Sequence, residues 1–129
     1  MKRALIVEDC VSDLRQASAL LKKYGVEEAE AITRVDKALL RLQEVVENKR
    51  PAPDLIVLDL NFNLESGFEV LRFMKSHQQL KDIRVVVWTV MGETQQQICR
   101  FFGADVVPKS EGIAALSRTI EGFSATAAE

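Results

Sequence analysis

The chain has 129 residues, of which 47% are hydrophobic and 28% charged, and its formal net charge at pH 7 is -2. This is the composition of an ordinary globular protein, and the length suits one domain, residues 1–129. A slightly acidic chain lacks the basic surface that nucleic acid requires, and no apolar run approaches the roughly 20 residues of a membrane span. The apolar stretch after Lys2 and Arg3 stops at Glu8, too early for a signal peptide. We therefore expect a cytoplasmic protein that binds neither nucleic acid directly nor a membrane.

Short apolar runs alternate with amphipathic patterns along the whole chain. The runs predict strands, in order, at Arg3 to Val7, Ala29 to Thr33, Leu55 to Leu58, Val85 to Trp88 and Asp105 to Val107. Apolar residues at helical spacing predict helices at Ser12 to Tyr24, Val35 to Glu47, Glu65 to His77 and Thr94 to Phe102. Ser110 is expected to cap a last helix, whose core stripe is Ile113, Leu116, Ile120 and Phe123. The small, polar tail from Ala125 to Glu129 is expected to fray.

This alternation predicts an α/β fold, a (βα)5 doubly wound parallel sheet with helices on both faces. The weak alternation of the second strand suggests that it lies at an edge of the sheet. In open parallel sheets, ligands bind outside the carboxyl ends of the strands. Functional residues are therefore expected where the strands end.

Polar residues gather at those strand ends. Glu8 and Asp9 follow the first strand, Asp59 and Asn61 the third, Thr89 the fourth and Lys109 the fifth. Clustered carboxylates disfavour one another's ionisation, and a divalent cation removes the conflict. Oxygen ligands without histidine or thiolate favour Mg²⁺ or Mn²⁺ over zinc. An open position on such an ion suits a phosphate, which the lysine and the threonine hydroxyl could contact, and Asp59 is then a third ligand or a nucleophile that forms an aspartyl phosphate.

Each of these residues also has an ordinary structural interpretation. Glu8 and Asp9 could cap the first helix, Asn61 could form a turn, Thr89 could simply end a strand, and Lys109 could be solvated. The combination favours a site over these separate explanations. Elsewhere, Cys10 and Cys99 are expected to be reduced, half-buried thiols, His77 a solvated surface residue, and Trp88 a partly buried packing residue.

In their order and on these elements, the residues resemble the receiver domain of two-component response regulators, over essentially the whole chain. The resemblance is carried by Glu8-Asp9, Asp59, Gly67 eight residues further on, Thr89, Gly103-Ala104 and Lys109. It implies a flavodoxin-like fold with strand order 2-1-3-4-5 and a signalling module that is not itself an enzyme. It also implies that a sensor histidine kinase or phosphotransfer protein is the phosphohistidine donor, and that a downstream protein is the target.

The resemblance further implies a role for each site residue. Asp59 would be the phosphoacceptor, and Thr89 and Lys109 would hold the phosphoryl oxygens. Mg²⁺ would be bound by Asp9 directly, by Glu8 largely through water, by Asp59, and by the backbone carbonyl of Asn61.

The chain departs from the family pattern at several positions. Phe62 and Asn63 replace a common Met-Pro pair, Val90 replaces a small residue and would crowd the phosphoryl site, and Val106 replaces an aromatic switch residue. The segment from Gly103 to Lys109 is one residue shorter than expected, and Pro108 precedes the lysine instead of following it. These departures motivate an alternative, a receiver-like interaction module that does not switch by phosphorylation.

Two other functions fit less well. A hydrolase of the haloacid-dehalogenase type would have Asp-x-Asp where this chain has Asp59-Leu60-Asn61. A flavodoxin would have a Ser/Thr/Gly-rich phosphate loop after the first strand, where Glu8-Asp9-Cys10-Val11 would repel phosphate.

Overall fold

The described part of the chain alternates strictly between strands and helices. In this computed structural model the backbone is described for residues 1–62 and 65–127, and side chains are described as far as Phe123. The elements are β1 Arg3–Val7, α1 Val11–Lys23, β2 Glu28–Ile32, α2 Val35–Val46, β3 Leu55–Leu58, α3 Phe68–Lys75, β4 Arg84–Thr89, α4 Glu93–Phe101, β5 Asp105–Pro108 and α5 Ile113–Ala127. Among these helices none is long and apolar enough to cross a membrane.

The strands form one parallel sheet in the order β2-β1-β3-β4-β5, which confirms the predicted flavodoxin-like fold and the edge position of β2. The register aligns the carboxyl ends of the central strands, because Val7 of β1 pairs with Leu58 of β3. On the other side, Thr89 at the end of β4 pairs with Pro108 of β5. The residues that leave these strands therefore emerge side by side at one edge.

Two apolar cores cover the two faces of the sheet. Leu5 and Val7 of β1 pack on the side of α2, α3 and α4, whereas Ala4 and Ile6 pack on the side of α1 and α5. Because neighbouring residues of a strand point to opposite faces, a strand between two helical layers must be apolar throughout. That is why Leu55–Leu58 reads as a continuous apolar run in the sequence.

Several predicted boundaries are wrong. The third helix begins at Phe68 and ends at Lys75, inside the predicted Glu65 to His77. Ser110 does not cap the last helix, because Lys109–Glu111 form a 3₁₀ turn and Gly112 adopts φ 83° before α5 starts at Ile113. The last helix, α5, ends at Ala127, and fraying of the tail from Ala125 stays a prediction. Residues 128–129 lie outside the described part of the chain.

Four side chains are placed differently from expectation because tertiary packing decides their burial. Cys99 is fully buried and Cys10 is exposed, so neither thiol is half-buried. His77 is partly buried, with its ring centroid 4.2 Å from that of Phe73. Trp88 is only 3% exposed and is therefore fully part of the core.

Candidate functional site

Three carboxylates meet where β1 and β3 end. Glu8 and Asp59 directly follow the paired residues Val7 and Leu58, and they are only 2% and 5% exposed. Glu8, Asp9 and Asp59 each offer an oxygen, and these oxygens lie within 4.8 Å of one another. Such an oxygen-only set at this spacing fits a hard divalent cation such as Mg²⁺ or Mn²⁺.

Glu8 has an unusual environment for a carboxylate. Burial, the largest effect, raises the pKa of its carboxyl, the Lys109 ammonium lowers it and Asp59 raises it, and the balance is a pKa of about 7. Its Oε2 accepts hydrogen bonds from the backbone N–H groups of Asp9 at 3.1 Å and Cys10 at 3.2 Å. Both N–H groups lie just before α1, so one oxygen of the Glu8 carboxylate is bound to the backbone at the start of this helix. The other oxygen, Oε1, accepts from Lys109 in the site.

Thr89 and Asn61 engage one oxygen of Asp59. The Thr89 hydroxyl, which is fully buried, donates to Asp59 Oδ1, and the Asn61 backbone N–H donates to the same oxygen at 3.1 Å. The Asn61 amide Nδ2 donates to Thr89 Oγ1 at 3.0 Å and to the Val90 carbonyl at 2.7 Å. The loop after β3 is thus tied to the end of β4. The Val90 side chain is 68% exposed at this mouth of the site.

Lys109 is not a solvated lysine. Its Nζ donates to Asp13 Oδ2 at 2.6 Å and to Glu8 Oε1 at 2.7 Å, and it lies 3.5 Å from Asp59 Oδ2. The same ammonium stands 5.0 Å from the ring centroid of Trp88. Burial lowers the pKa of Lys109, but the hydrogen bonds to Asp13 and Glu8 outweigh burial and raise the pKa above its ordinary value. Lys109 therefore carries its charge throughout the physiological range.

Asp13 is a member of this cluster that the sequence-based prediction missed. It lies in the first turn of α1, four residues after Asp9. The sequence signal that could have identified it is an acidic residue in the first turn of the helix that directly follows Glu8-Asp9, at the edge of the sheet where the strands end.

Gly67 brings the loop after β3 against the backbone of Asp59 and Leu60. A Cβ at this residue would lie 2.4 Å from the Asp59 carbonyl oxygen and 2.7 Å from Leu60 Cα. The Gly67 N–H donates to the Leu60 carbonyl at 3.1 Å. Its N-cap φ of -62° is available to any residue, so the close approach of backbone is what requires glycine here.

The other departures from the family pattern are located as follows. Phe62 and Val106 are both partly buried and pack against the core on the α2–α4 side of the sheet. Pro108 ends β5 directly before Lys109. Asn63 lies outside the described residues.

Comparison with known proteins gives one consistent result. A family model for the response regulator receiver domain matches residues 4–121. The response regulator Rcp1 of Synechocystis sp. is 40% identical over 91 residues, which cover 68% of this chain and 61% of Rcp1. The chain spans less of two further curated relatives, 41% and 39% of their lengths.

Two solved structures superpose over almost the whole chain. The Mn²⁺-bound form of Rcp1 has a TM-score of 0.78 and 30% identity, covering 95% of this chain and 91% of that one. The phosphorylated cyanobacterial phytochrome response regulator RcpA has a TM-score of 0.74 and 26% identity, covering 95% of this chain and 90% of that one. Fold, strand order and the family match over residues 4–121 agree, and the chain belongs to the response regulator receiver domains of two-component systems.

Proposed function

We propose that this chain, as a single receiver domain over residues 1–129, accepts a phosphoryl group on Asp59 from a phosphohistidine donor. The observation that carries the proposal is the set of groups around one buried carboxylate. Asp59 Oδ1 accepts from the Thr89 hydroxyl and the Asn61 N–H, and Oδ2 faces the Lys109 ammonium at 3.5 Å. The relatives support it, since one similar structure is a phosphorylated form and another is Mn²⁺-bound.

Glu8, Asp9 and Asp59 would hold Mg²⁺, because oxygens of these three carboxylates already lie within 4.8 Å of one another. The Asn61 backbone carbonyl would be a further ligand. Bound there, Mg²⁺ would offset the mutual repulsion of the carboxylates and neutralise charge on a phosphoryl oxygen. In the transfer, an Asp59 oxygen forms a bond to phosphorus while the bond from phosphorus to the donor imidazole nitrogen breaks, and that nitrogen keeps the electron pair. The buried Asp59 carboxylate is thus the nucleophile.

Lys109 and Thr89 then act as donors to the transferred group. The ammonium of Lys109 has three N–H donors, and one of them points to Asp59 Oδ2 over a long distance of 3.5 Å. A phosphoryl oxygen bound to Asp59 can accept this hydrogen bond in place of Oδ2. The Thr89 hydroxyl can rotate from Asp59 Oδ1 to a phosphoryl oxygen while Asn61 keeps its contact with Thr89 Oγ1. The donor would be a sensor histidine kinase or phosphotransfer protein, and the phosphorylated domain would act on a downstream protein.

The alternative is a receiver-like interaction module that does not switch. It is favoured by Val106, a small partly buried side chain where the family carries an aromatic switch residue. The two functions differ in whether the protein is modified.

Phosphorylation is tested by incubation with acetyl phosphate and Mg²⁺, followed by intact-mass measurement. The wild type should gain one phosphoryl group, and Asp59→Asn should gain none. Asp82→Asn, which removes an exposed carboxylate, is the matched control and should be labelled like the wild type. Equal labelling of wild type and Asp59→Asn would refute the assignment. An unlabelled wild type whose melting curve is unmoved by saturating Mg²⁺ would favour the static module.

A further inference from the structure

The Lys109 ammonium and the proposed metal ion compete for the same carboxylates. Lys109 Nζ lies 2.7 Å from Glu8 and 3.5 Å from Asp59, and both carboxylates also belong to the set that would hold the metal. Two cations in one partly buried site repel each other, and the side chain of Lys109 is only 15% exposed. When Glu8 and Asp59 bind the metal ion, the Lys109 ammonium needs another counter-ion.

Asp13 is placed to be that counter-ion. Its contact with Lys109, 2.6 Å from Oδ2 to Nζ, is shorter than the lysine's contacts with Glu8 and Asp59. Asp13 is also outside the trio whose oxygens converge within 4.8 Å. A carboxylate that pairs with the lysine but not with the metal can keep its partner whether or not the metal is bound.

The position of Asp13 in the fold suits a carboxylate that stays beside the lysine. It is in the first turn of α1, where the positive end of the helix dipole stabilises a carboxylate. Its side chain is 26% exposed, whereas the Glu8 side chain is 3% exposed, so water still reaches the Asp13 carboxylate. The indole ring of Trp88, whose centroid lies 5.0 Å from Nζ, also limits where the lysine can go.

We propose that Asp13 is a positioning residue that holds the Lys109 ammonium beside the metal site as its own counter-ion, so that Lys109 and a divalent cation can occupy the site together. This inference rests on the proposed function. Without the Asp13 carboxylate, Lys109 would pair with Glu8 and Asp59 alone, and those two would be less available to the metal. Asp13 therefore strengthens metal binding without contacting the metal.

The test is a double-mutant cycle on Mg²⁺ affinity, measured by the fluorescence of Trp88, the single tryptophan of the chain. Asp13→Asn should weaken Mg²⁺ binding by about fivefold or more. In a Lys109→Met background the same substitution should change the affinity by less than about twofold, because no ammonium then competes for the carboxylates. Asp13→Glu, which keeps the charge one methylene further out, should recover part of the loss.

Glu93→Gln is the matched control, since it removes one exposed negative charge at the start of α4, at the same edge of the sheet. Melting curves in chelator verify that each variant is folded. If Asp13→Asn binds Mg²⁺ as well as Glu93→Gln, or loses the same affinity with and without Lys109, the inference is overturned while the proposed function stands. If the wild type binds no Mg²⁺ in the millimolar range, the proposed metal site and this inference both fail.

Discussion

Replacing Gly67 with alanine should lower the stability of the protein and displace the backbone of Asp59. The added methyl group would lie 2.4 Å from the Asp59 carbonyl oxygen, 2.7 Å from Leu60 Cα and 3.2 Å from the Asp59 carbonyl carbon. All three atoms belong to backbone, so no side chain can rotate away to relieve the overlap. Either the loop at residue 67 must move out or the chain after β3 must shift.

The expected cost follows from the nature of the contact. Overpacking a well-packed site costs typically about 1–3 kcal/mol, and a backbone neighbour places this case toward the upper end. For a domain of this length the entropy of unfolding is about 0.27 kcal/mol per kelvin, so each kcal/mol shifts the melting temperature by roughly 4 °C. We therefore expect Gly67→Ala to melt about 10 °C below the wild type. It should also bind Mg²⁺ more weakly, because Asp59 moves with its backbone.

Thermal melting followed by circular dichroism, with chelator and with Mg²⁺, measures both effects. The control is Gly122→Ala, because a Cβ there comes within 4 Å of no heavy atom of the described residues outside its own stretch of helix, and alanine favours the interior of α5. That variant should melt at or slightly above the wild-type temperature. A Gly67→Ala protein that melts within about 2 °C of the wild type and binds Mg²⁺ normally would show that the close approach does not constrain the site.

Three further perturbations have defined outcomes. Thr89→Val should lower the free energy of unfolding by about 1–3 kcal/mol in urea denaturation, because it removes the buried hydroxyl donor to Asp59 and one of the two acceptors of the Asn61 amide, whereas Thr89→Ser should cost less. The folded-state pKa of Glu8, about 7 against an ordinary 4.5, means that the metal-free folded protein binds more protons than the unfolded chain between these values. The melting temperature of the metal-free protein, measured in chelator, should therefore fall as pH rises from 5 to 8, and the affinity for Mg²⁺ should rise over the same range. Glu8→Gln should make the melting temperature less dependent on pH. If that substitution leaves the pH dependence unchanged, the raised pKa does not belong to Glu8. The buried Arg41 forms an ion pair with Glu30, 3.2 Å from Nε to Oε1, and donates from Nη2 to the Pro51 carbonyl at 3.1 Å, while its Nη1 has no partner among the described residues. Arg41→Met should change the free energy of unfolding by less than about 1 kcal/mol, because the Glu30 side chain is 39% exposed and keeps Arg50 at 3.2 Å; a loss above about 3 kcal/mol would show that the Arg41–Glu30 pair matters.

Much of the fold was predictable because its signals are local. Leu55–Leu58 was predicted to the residue, since a strand covered on both faces is a continuous apolar run between polar ends. The ends of α3 and α5 were predicted less well. The apolar positions of the Glu65 to His77 pattern, Phe68, Leu71 and Met74, all lie within Phe68–Lys75, so they do not mark where the helix begins and ends. The 3₁₀ turn at Lys109–Glu111 depends on where Gly112 places the chain, which apolar spacing does not reveal.

The sequence by itself determined the α/β class, the edge of the sheet at which function is sought, and the residues that the strands deliver to that edge. These follow from periodicity and from the rule that parallel strands end together. The tertiary structure alone decided the distances on which chemistry depends. It placed Asp13 at 2.6 Å from Lys109, stacked that ammonium over Trp88, and pressed Gly67 against Asp59. Side chains far apart in sequence meet at such distances only through the packing of several elements, and no local pattern encodes how closely those elements approach.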